Sequence, residues 1–280
     1  MPAIPLEAKR VEKPWGRRTL PASFNPVPPD GAPVGEIIFH GGEGEPRDLL
    51  LKYLFTSEKL SIQVHPDDAS ARSRGLRNGK DEVWVVIEAQ PDAKLGLGLK
   101  SPATLGELSD AALDGTIEAM VDWRPVRVGD CIYSPGGTIH AIGAGLSIVE
   151  VQQNSDVTYR LFDYGRPREL HLEEGLAVVN LESKPQPQPS LDLGGRRTRL
   201  ATGPAFQVER IDGPAEGELS PPSASAIWLL PLAGTPRVDD EPLLVGGCWL
   251  LLQPGRLRLD PGEALLLAYP GAETSQVWRT

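Results

Sequence analysis

Only four histidines occur in this chain, His40, His65, His140 and His171, and two of them stand in patterns suited to metal chemistry. In Leu60-Ser61-Ile62-Gln63-Val64-His65-Pro66-Asp67-Asp68, the two-residue period of a strand puts Ser61, Gln63 and His65 on one face and Ile62 and Val64 on the other. An amide and an imidazole at that spacing can offer two ligands to one ion. Taken alone, a solvated polar face explains the strand as well. In the segment from Gly129 to Ile142, Pro135, Gly136 and Gly137 form a tight turn that delivers His140 into the following strand. Its plain alternative is a hairpin with a surface histidine. In Gly79-Lys80-Asp81-Glu82-Val83-Trp84, Lys80 and Glu82 share a face where a strong strand begins. A surface ion pair, worth little, is the alternative there.

Considered together, Gln63, His65, Glu82 and His140 supply an amide oxygen, a carboxylate and two imidazoles. Zinc accepts nitrogen and oxygen ligands, and a catalytic zinc site keeps one position open. Polar groups of this kind are buried only when something compensates them. Arg160 shares a face with Thr158 and Phe162 in an alternating stretch, and it requires an anionic partner. Asp156 or Asp163 would make it a structural residue.

The elements that position these residues read as short strands. Residues 36–40, 49–55 and 60–64 are apolar runs too short for helices. Residues 82–88, rich in Val and Ile with one Trp, give the strongest strand signal. Further strands are expected at 131–134, 146–152 and 157–161. Residues 101–121 read as helical, with Leu105, Leu108, Ala112 and Ile117 on the apolar side. Helix starts are expected at Ser101-Pro102 and Ser109-Asp110, and a break at Gly115. Short helices are expected after Pro66 to about Asn78 and over 171–180. The opening is irregular and proline-rich from Pro21 to Pro33. Residues 182–195 hold Pro185, Pro187, Pro189 and a Gly194-Gly195 pair and read as an extended linker. Beyond them only short strands and turns follow, such as 247–253 and 264–268. The expected organisation is a catalytic unit at 1–180 with a helical insertion near 101–121, a proline-rich linker at 181–195, and a small all-β unit at 196–280.

Thirty glycines and 28 prolines favour many turns and a β-rich chain. The net charge of −10 argues against nucleic acid as a partner, because a phosphate backbone calls for clustered Lys and Arg. An anionic small substrate would need a local basic patch within that field. Cys131 and Cys248 lie far apart and read as two reduced structural thiols. No run reaches the roughly 18 apolar residues of a membrane span, and residues 1–13 lack the apolar core of a signal peptide. These features place the chain in the cytoplasm. They leave its oligomeric state open.

Three strings carry a family resemblance: LSIQVHPDD, GKDEVWVV and SPGGTIHAIG. With the early Lys13-Pro14-Trp15-Gly16 and the stretch Gln152 to Tyr164, they occur in the order found in class I mannose-6-phosphate isomerases of the short bacterial type. The chain resembles that family over about residues 10–180. The turn before His140 is also close to the second cupin motif, with Gly129, five residues, Pro-x-Gly, two residues and His; Ala144 stands where that motif often has Asn. The resemblance implies a mainly β cupin, a jelly-roll β-barrel with a few short helices and a small C-terminal all-β domain. It implies one zinc ion per chain on Gln63, His65, Glu82 and His140. Arg160 falls on the catalytic arginine, with Lys80 beside it. Ser61 lines the phosphate end, with Lys80, Arg166 and Lys52 as basic candidates; a solvated strand-edge lysine is the simpler account of Lys52. Where Asp81 stands the family usually has Thr. The implied reaction interconverts mannose 6-phosphate and fructose 6-phosphate by moving a proton between C1 and C2, with zinc stabilising the enediol. Two other readings stay open: a non-catalytic sugar-phosphate sensor, and an Fe(II) dioxygenase, since two His and one Glu also form that triad.

Overall fold

Four antiparallel sheets organise the chain in the computed structural model, which describes residues 3–24, 31–42, 44, 46, 48–223 and 225–280. The centre of the proline-rich stretch expected at 21–33 lies outside the described residues. A six-stranded sheet runs in the order Glu7–Arg17, Val34–His40, Leu49–Phe55, Leu146–Gln153, Glu82–Ala89, Cys131–Ser134. Facing it is a five-stranded sheet ordered Tyr159–Phe162, Ile62–Val64, His140–Ile142, Lys94–Leu99, Val121–Pro125. Together they make the first barrel.

Strand alternation decides what goes where. In Glu82–Ala89, Trp84 and Val86 turn inward and pack with Leu54, Leu95, Leu97, Ile142 and Ile148 from both sheets. Their neighbours Val83 and Val85 turn outward with Leu51, Tyr53, Val149 and Val151. This second face meets Val208, Trp228, Leu230 and Leu266 of the C-terminal half, so one apolar core joins the two halves of the chain. Sheet-on-sheet packing of this kind buries one face of each sheet.

The C-terminal half has a seven-stranded sheet that ends with Phe206–Asp212, Arg197–Thr202 and Leu191–Gly194, and a five-stranded sheet opposite it. Its own core holds Ile211, Leu229, Leu257, Leu265 and Tyr269. Two boundaries differ from the sequence reading. Ala3–Pro5 pairs with Trp249–Leu251, so the first described residues join the C-terminal sheet. Leu191–Gly194, expected as linker, forms a strand paired with Arg197–Thr202. A short-range turn at Gly194-Gly195 makes that pairing possible, and a proline-rich approach does not oppose it.

The helical insertion forms as Leu105–Asp114 and Ile117–Met120, divided at Gly115, whose φ of 84° closes the first helix. The start lies elsewhere than expected. Thr104 caps the helix in a reciprocal box with Glu107, and Ser109-Asp110 sits inside it, because a hydroxyl and a carboxylate three residues apart satisfy two free N–H groups. Leu108, Ala111, Ala112 and Ile117 cover Ile62, Val64, Ala141 and Leu161 on the outside of the five-stranded sheet. Glu7–Arg17, Lys94–Leu99 and Val121–Pro125 are strands the sequence did not reveal, the first too polar and the second too glycine-rich to read as such. No helix of the described residues is long and apolar enough to cross a membrane.

Candidate metal centre

His65, Glu82 and His140 come from three separate segments and meet inside the first barrel. One ligand atom from each lies within 4.8 Å of the others, and each residue is only 1% exposed. Gln63 sits directly across from His140 in an antiparallel pair. As strand alternation requires, Ile62 and Val64 turn away into the helix-covered core, while Ser61 is buried and its Oγ donates to Gln63 Oε1 at 3.0 Å.

Two glycines let the segments close up. A Cβ on Gly79 would stand 2.5 Å from the backbone of Asp67, and one on Gly136 2.6 Å from it. The chain just after His65 is therefore held between the approach to Glu82 and the turn before His140. Gly137 donates its N–H to the His65 carbonyl at 2.7 Å, and Lys80 donates its own to the Pro66 carbonyl at 3.0 Å.

The protons of the two rings point away from the cluster. His65 Nδ1 donates to the Val157 carbonyl at 2.8 Å, and His140 Nδ1 to the Thr138 carbonyl at 2.9 Å. A carbonyl can only accept, so each neutral ring turns an Nε2 lone pair inward. Burial is the largest cause keeping both rings below the ordinary histidine value, His65 down to about 3. These lone pairs face a carboxylate: His65 Nε2 lies 3.2 Å from Glu82 Oε1, and His140 Nε2 3.5 Å from Oε2. Burial alone would raise the Glu82 carboxyl, yet Lys80 above all holds it well below the usual range. Glu82 Oε2 accepts no hydrogen bond among the described residues. Lys80 Nζ, 2.8 Å from Glu82 Oε1 and 3.4 Å from His65 Nε2, places one positive charge at the edge.

Buried lone pairs converging in this way repel unless a cation lies among them. Two imidazole nitrogens and a carboxylate fit a divalent metal. The Gln63 amide now turns Nε2 to His140 Nε2 at 3.1 Å; rotated by half a turn, it would present Oε1 as a fourth ligand.

Arg160 is the register partner of Gln63 across adjacent strands, so the two side chains leave the same face. Its guanidinium donates to the Glu169 carbonyl at 3.3 Å, and no carboxylate pairs with it among the described residues. Asp163, its candidate structural partner, is taken by Arg166 and Arg168. Arg166 also bonds Glu58 and the Lys59 carbonyl and lies over the Tyr164 ring. That guanidinium ties a loop to its neighbour, and the structure does not bring it into the cluster.

Lys52 departs from the sequence reading. Its strand is central, not an edge, and its side chain is 12% exposed and 2.7 Å from Glu150. Glu150 also accepts from Trp84 Nε1 at 3.1 Å, and burial and the nearby Glu82 push its carboxyl up. Sequence reasoning missed Glu150, although a lone acid on the inward side of the apolar run Leu146–Gln153 was the available signal.

No family model matches the chain. It is 35% identical over 192 residues to the mannose-6-phosphate isomerase of Streptococcus mutans serotype c, covering 64% of this chain and 60% of that protein. It is 40% identical over 152 residues to mannose-6-phosphate isomerase ManA of Bacillus subtilis, covering 51% and 48%. The crystal structure of the mannose 6-phosphate isomerase from Bacillus subtilis matches with a TM-score of 0.82 and 25% identity, over 96% of this chain and 99% of that one. The chain is thus similar, in part of its sequence and across its fold, to proteins named mannose-6-phosphate isomerase. The resemblance read from its motifs is thereby supported in sequence over 51–64% of the chain, and the likeness of fold runs over 96% of it. In sequence, the match spans about half to three-fifths of those curated relatives. A mannose 6-phosphate isomerase solved with zinc and yttrium shares the fold, at a TM-score of 0.72 and 15% identity.

Proposed function

We propose that this protein interconverts mannose 6-phosphate and fructose 6-phosphate in the cytoplasm, using one zinc ion held by Gln63, His65, Glu82 and His140 in its first barrel. The observation that carries the reading is the convergence of two Nε2 lone pairs and a carboxylate in a buried site where Lys80 is the cation in direct contact among the described residues, in a chain related to isomerases of that name.

When bound, zinc would supply a Lewis acid for the sugar oxygen that gains charge as the neighbouring carbon loses its proton. The chain's own residues do the rest. The Lys80 side chain adds positive charge at the site. Arginine is a poor base in general, so Arg160 serves by charge and position on the face it shares with Gln63. The group that carries the proton is sought at Lys80, at Glu82 or at a water in the site. Of the phosphate candidates, Lys52, Lys80 and Arg166 are each engaged by a carboxylate, which leaves Ser61, bonded to Gln63, as the better contact.

A coupled assay for fructose 6-phosphate, run with chelator and then with zinc restored, tests the reading together with metal analysis of the protein as purified. Turnover that disappears and returns with zinc supports it. Sugar-phosphate binding without turnover under any divalent metal would favour a sensor instead. Iron in place of zinc, with oxygen consumption, would favour a dioxygenase.

A further inference from the structure

Asp81 lies beside the carboxylate of the metal cluster but is turned away from it, and all its polar groups are occupied. It is 7% exposed. Its Oδ2 accepts from the Tyr133 hydroxyl at 2.5 Å and its Oδ1 from the Gly136 N–H at 2.8 Å. Its own N–H donates to Gln153 Oε1 at 2.9 Å, and the Gln153 amide in turn donates to Asp68 Oδ1 at 3.0 Å. Asp68 Oδ1 also accepts the Gly79 N–H at 2.8 Å. One carboxylate thus connects the residue before Glu82 to the turn before His140, and through Gln153 to the helix after His65.

Tyr133 extends this connection to the other half of the chain. It lies on the edge strand Cys131–Ser134, opposite Val83. Its ring rests on Gly203, in the turn between Arg197–Thr202 and Phe206–Asp212 of the C-terminal sheet. A Cβ on Gly203 would fall 2.9 Å from the tyrosine hydroxyl oxygen and 3.0 Å from Cζ. The turn is itself pinned, since Gln188 bonds both the N–H and the carbonyl of Thr202. Gly203 therefore leaves room for a ring that could not otherwise reach Asp81.

We propose that Tyr133 and Asp81 are positioning residues through which the C-terminal sheet holds the His140 turn against the start of the Glu82 strand, fixing the separation of those two ligands before a metal arrives. This deepens the metal reading above and rests on it. It also gives the C-terminal half a task in the site although none of the proposed ligands lies in that half. Groups that orient metal ligands from behind typically change affinity by about 10- to 100-fold when removed.

The test is the zinc dissociation constant of the folded protein, measured by competition with a chromogenic chelator, for wild type, Tyr133→Phe, Asp81→Ala, Asp81→Asn and Gly203→Ala, with the melting temperature of each zinc-free form. Tyr133→Phe and Gly203→Ala are each expected to weaken zinc about tenfold, and their combination to add less than about twofold more, because both act through one hydroxyl. Asp81→Ala is expected to lose more, and Asp81→Asn, which keeps an acceptor for Gly136, to recover most of that loss. If Tyr133→Phe and Gly203→Ala lower the melting temperature but bind zinc like wild type, the two residues are structural and the proposal is wrong, with the metal reading intact. If wild type itself binds no zinc, both fall together.

Discussion

Nε2 of His65 and Oε1 of Glu82 face each other at 3.2 Å with no proton to share, because the ring spends its Nδ1 proton on the Val157 carbonyl. Such a contact is repulsive on its own; Lys80 Nζ offsets it from one side, 2.8 Å from the carboxylate and 3.4 Å from the ring, and a metal ion would bridge it directly. His140→Ala removes one of the inward lone pairs. It is expected to weaken zinc by more than about 100-fold, beyond the effect of an outer partner, and to abolish turnover while leaving a folded chain. Metal analysis after gel filtration reads the first effect and the coupled assay the second. Stoichiometric zinc in this variant would remove His140 from the ligand set.

Arg160 makes a contrasting case. Its backbone is in register with Gln63, while its guanidinium bonds the Glu169 carbonyl and pairs with no carboxylate among the described residues. Arg160→Ala is expected to bind zinc as wild type does and to lose about 10²- to 10³-fold in kcat, the scale for deleting one group that stabilises developing charge. Normal kcat with a raised KM would instead assign it to substrate binding alone.

In the C-terminal barrel, Arg197 and Glu209 form a two-pronged pair at 2.5 and 2.8 Å, with the Tyr269 hydroxyl donating to the same carboxylate at 2.6 Å. Glu209 is fully buried and Arg197 4% exposed. Arg197→Met leaves a buried charge without its partner and is expected to cost about 3–5 kcal/mol in urea unfolding. Arg197→Met with Glu209→Leu should cost less than the single change, since no orphan charge is left. Equal or additive losses would show that packing, not charge, carries the cost.

Cys131 gives a pH test. Burial, with Asp130 nearby, pushes its thiol up to about 12. Only the thiolate reacts with iodoacetamide, so at pH 8 native alkylation is expected to run about a thousandfold below that of a free thiol of pKa near 8.5. Because the thiolate fraction grows as pH approaches the raised value, the rate should climb steadily from pH 8 to 10. Mass spectrometry of timed samples checks this, and labelling at the rate of a small-molecule thiol would contradict it.

Much of the first barrel was open to reading from the chain alone. The strand Leu49–Phe55 and the run Cys131–Ser134 have the bounds their apolar residues suggested, and Gly115 divides the insertion as its conformational freedom predicts. Glu7–Arg17 was hidden because an edge strand with one face in water carries almost no apolar signal. Leu191–Gly194 was hidden by the prolines before it.

By itself the sequence determined the candidate ligands and the faces they occupy, since strand periodicity places Gln63 with His65 and Lys80 with Glu82 whatever else the chain does. It could not determine that Lys52 is buried against Glu150, that Asp163 serves Arg166 and Arg168 in place of Arg160, or that Tyr133 reaches Asp81 across a glycine of the other half. Those partnerships join residues tens of positions apart or choose among neighbours equally near in sequence. Periodicity is a property of one segment, whereas which charge meets which is fixed only when separate sheets pack and exclude water from between them.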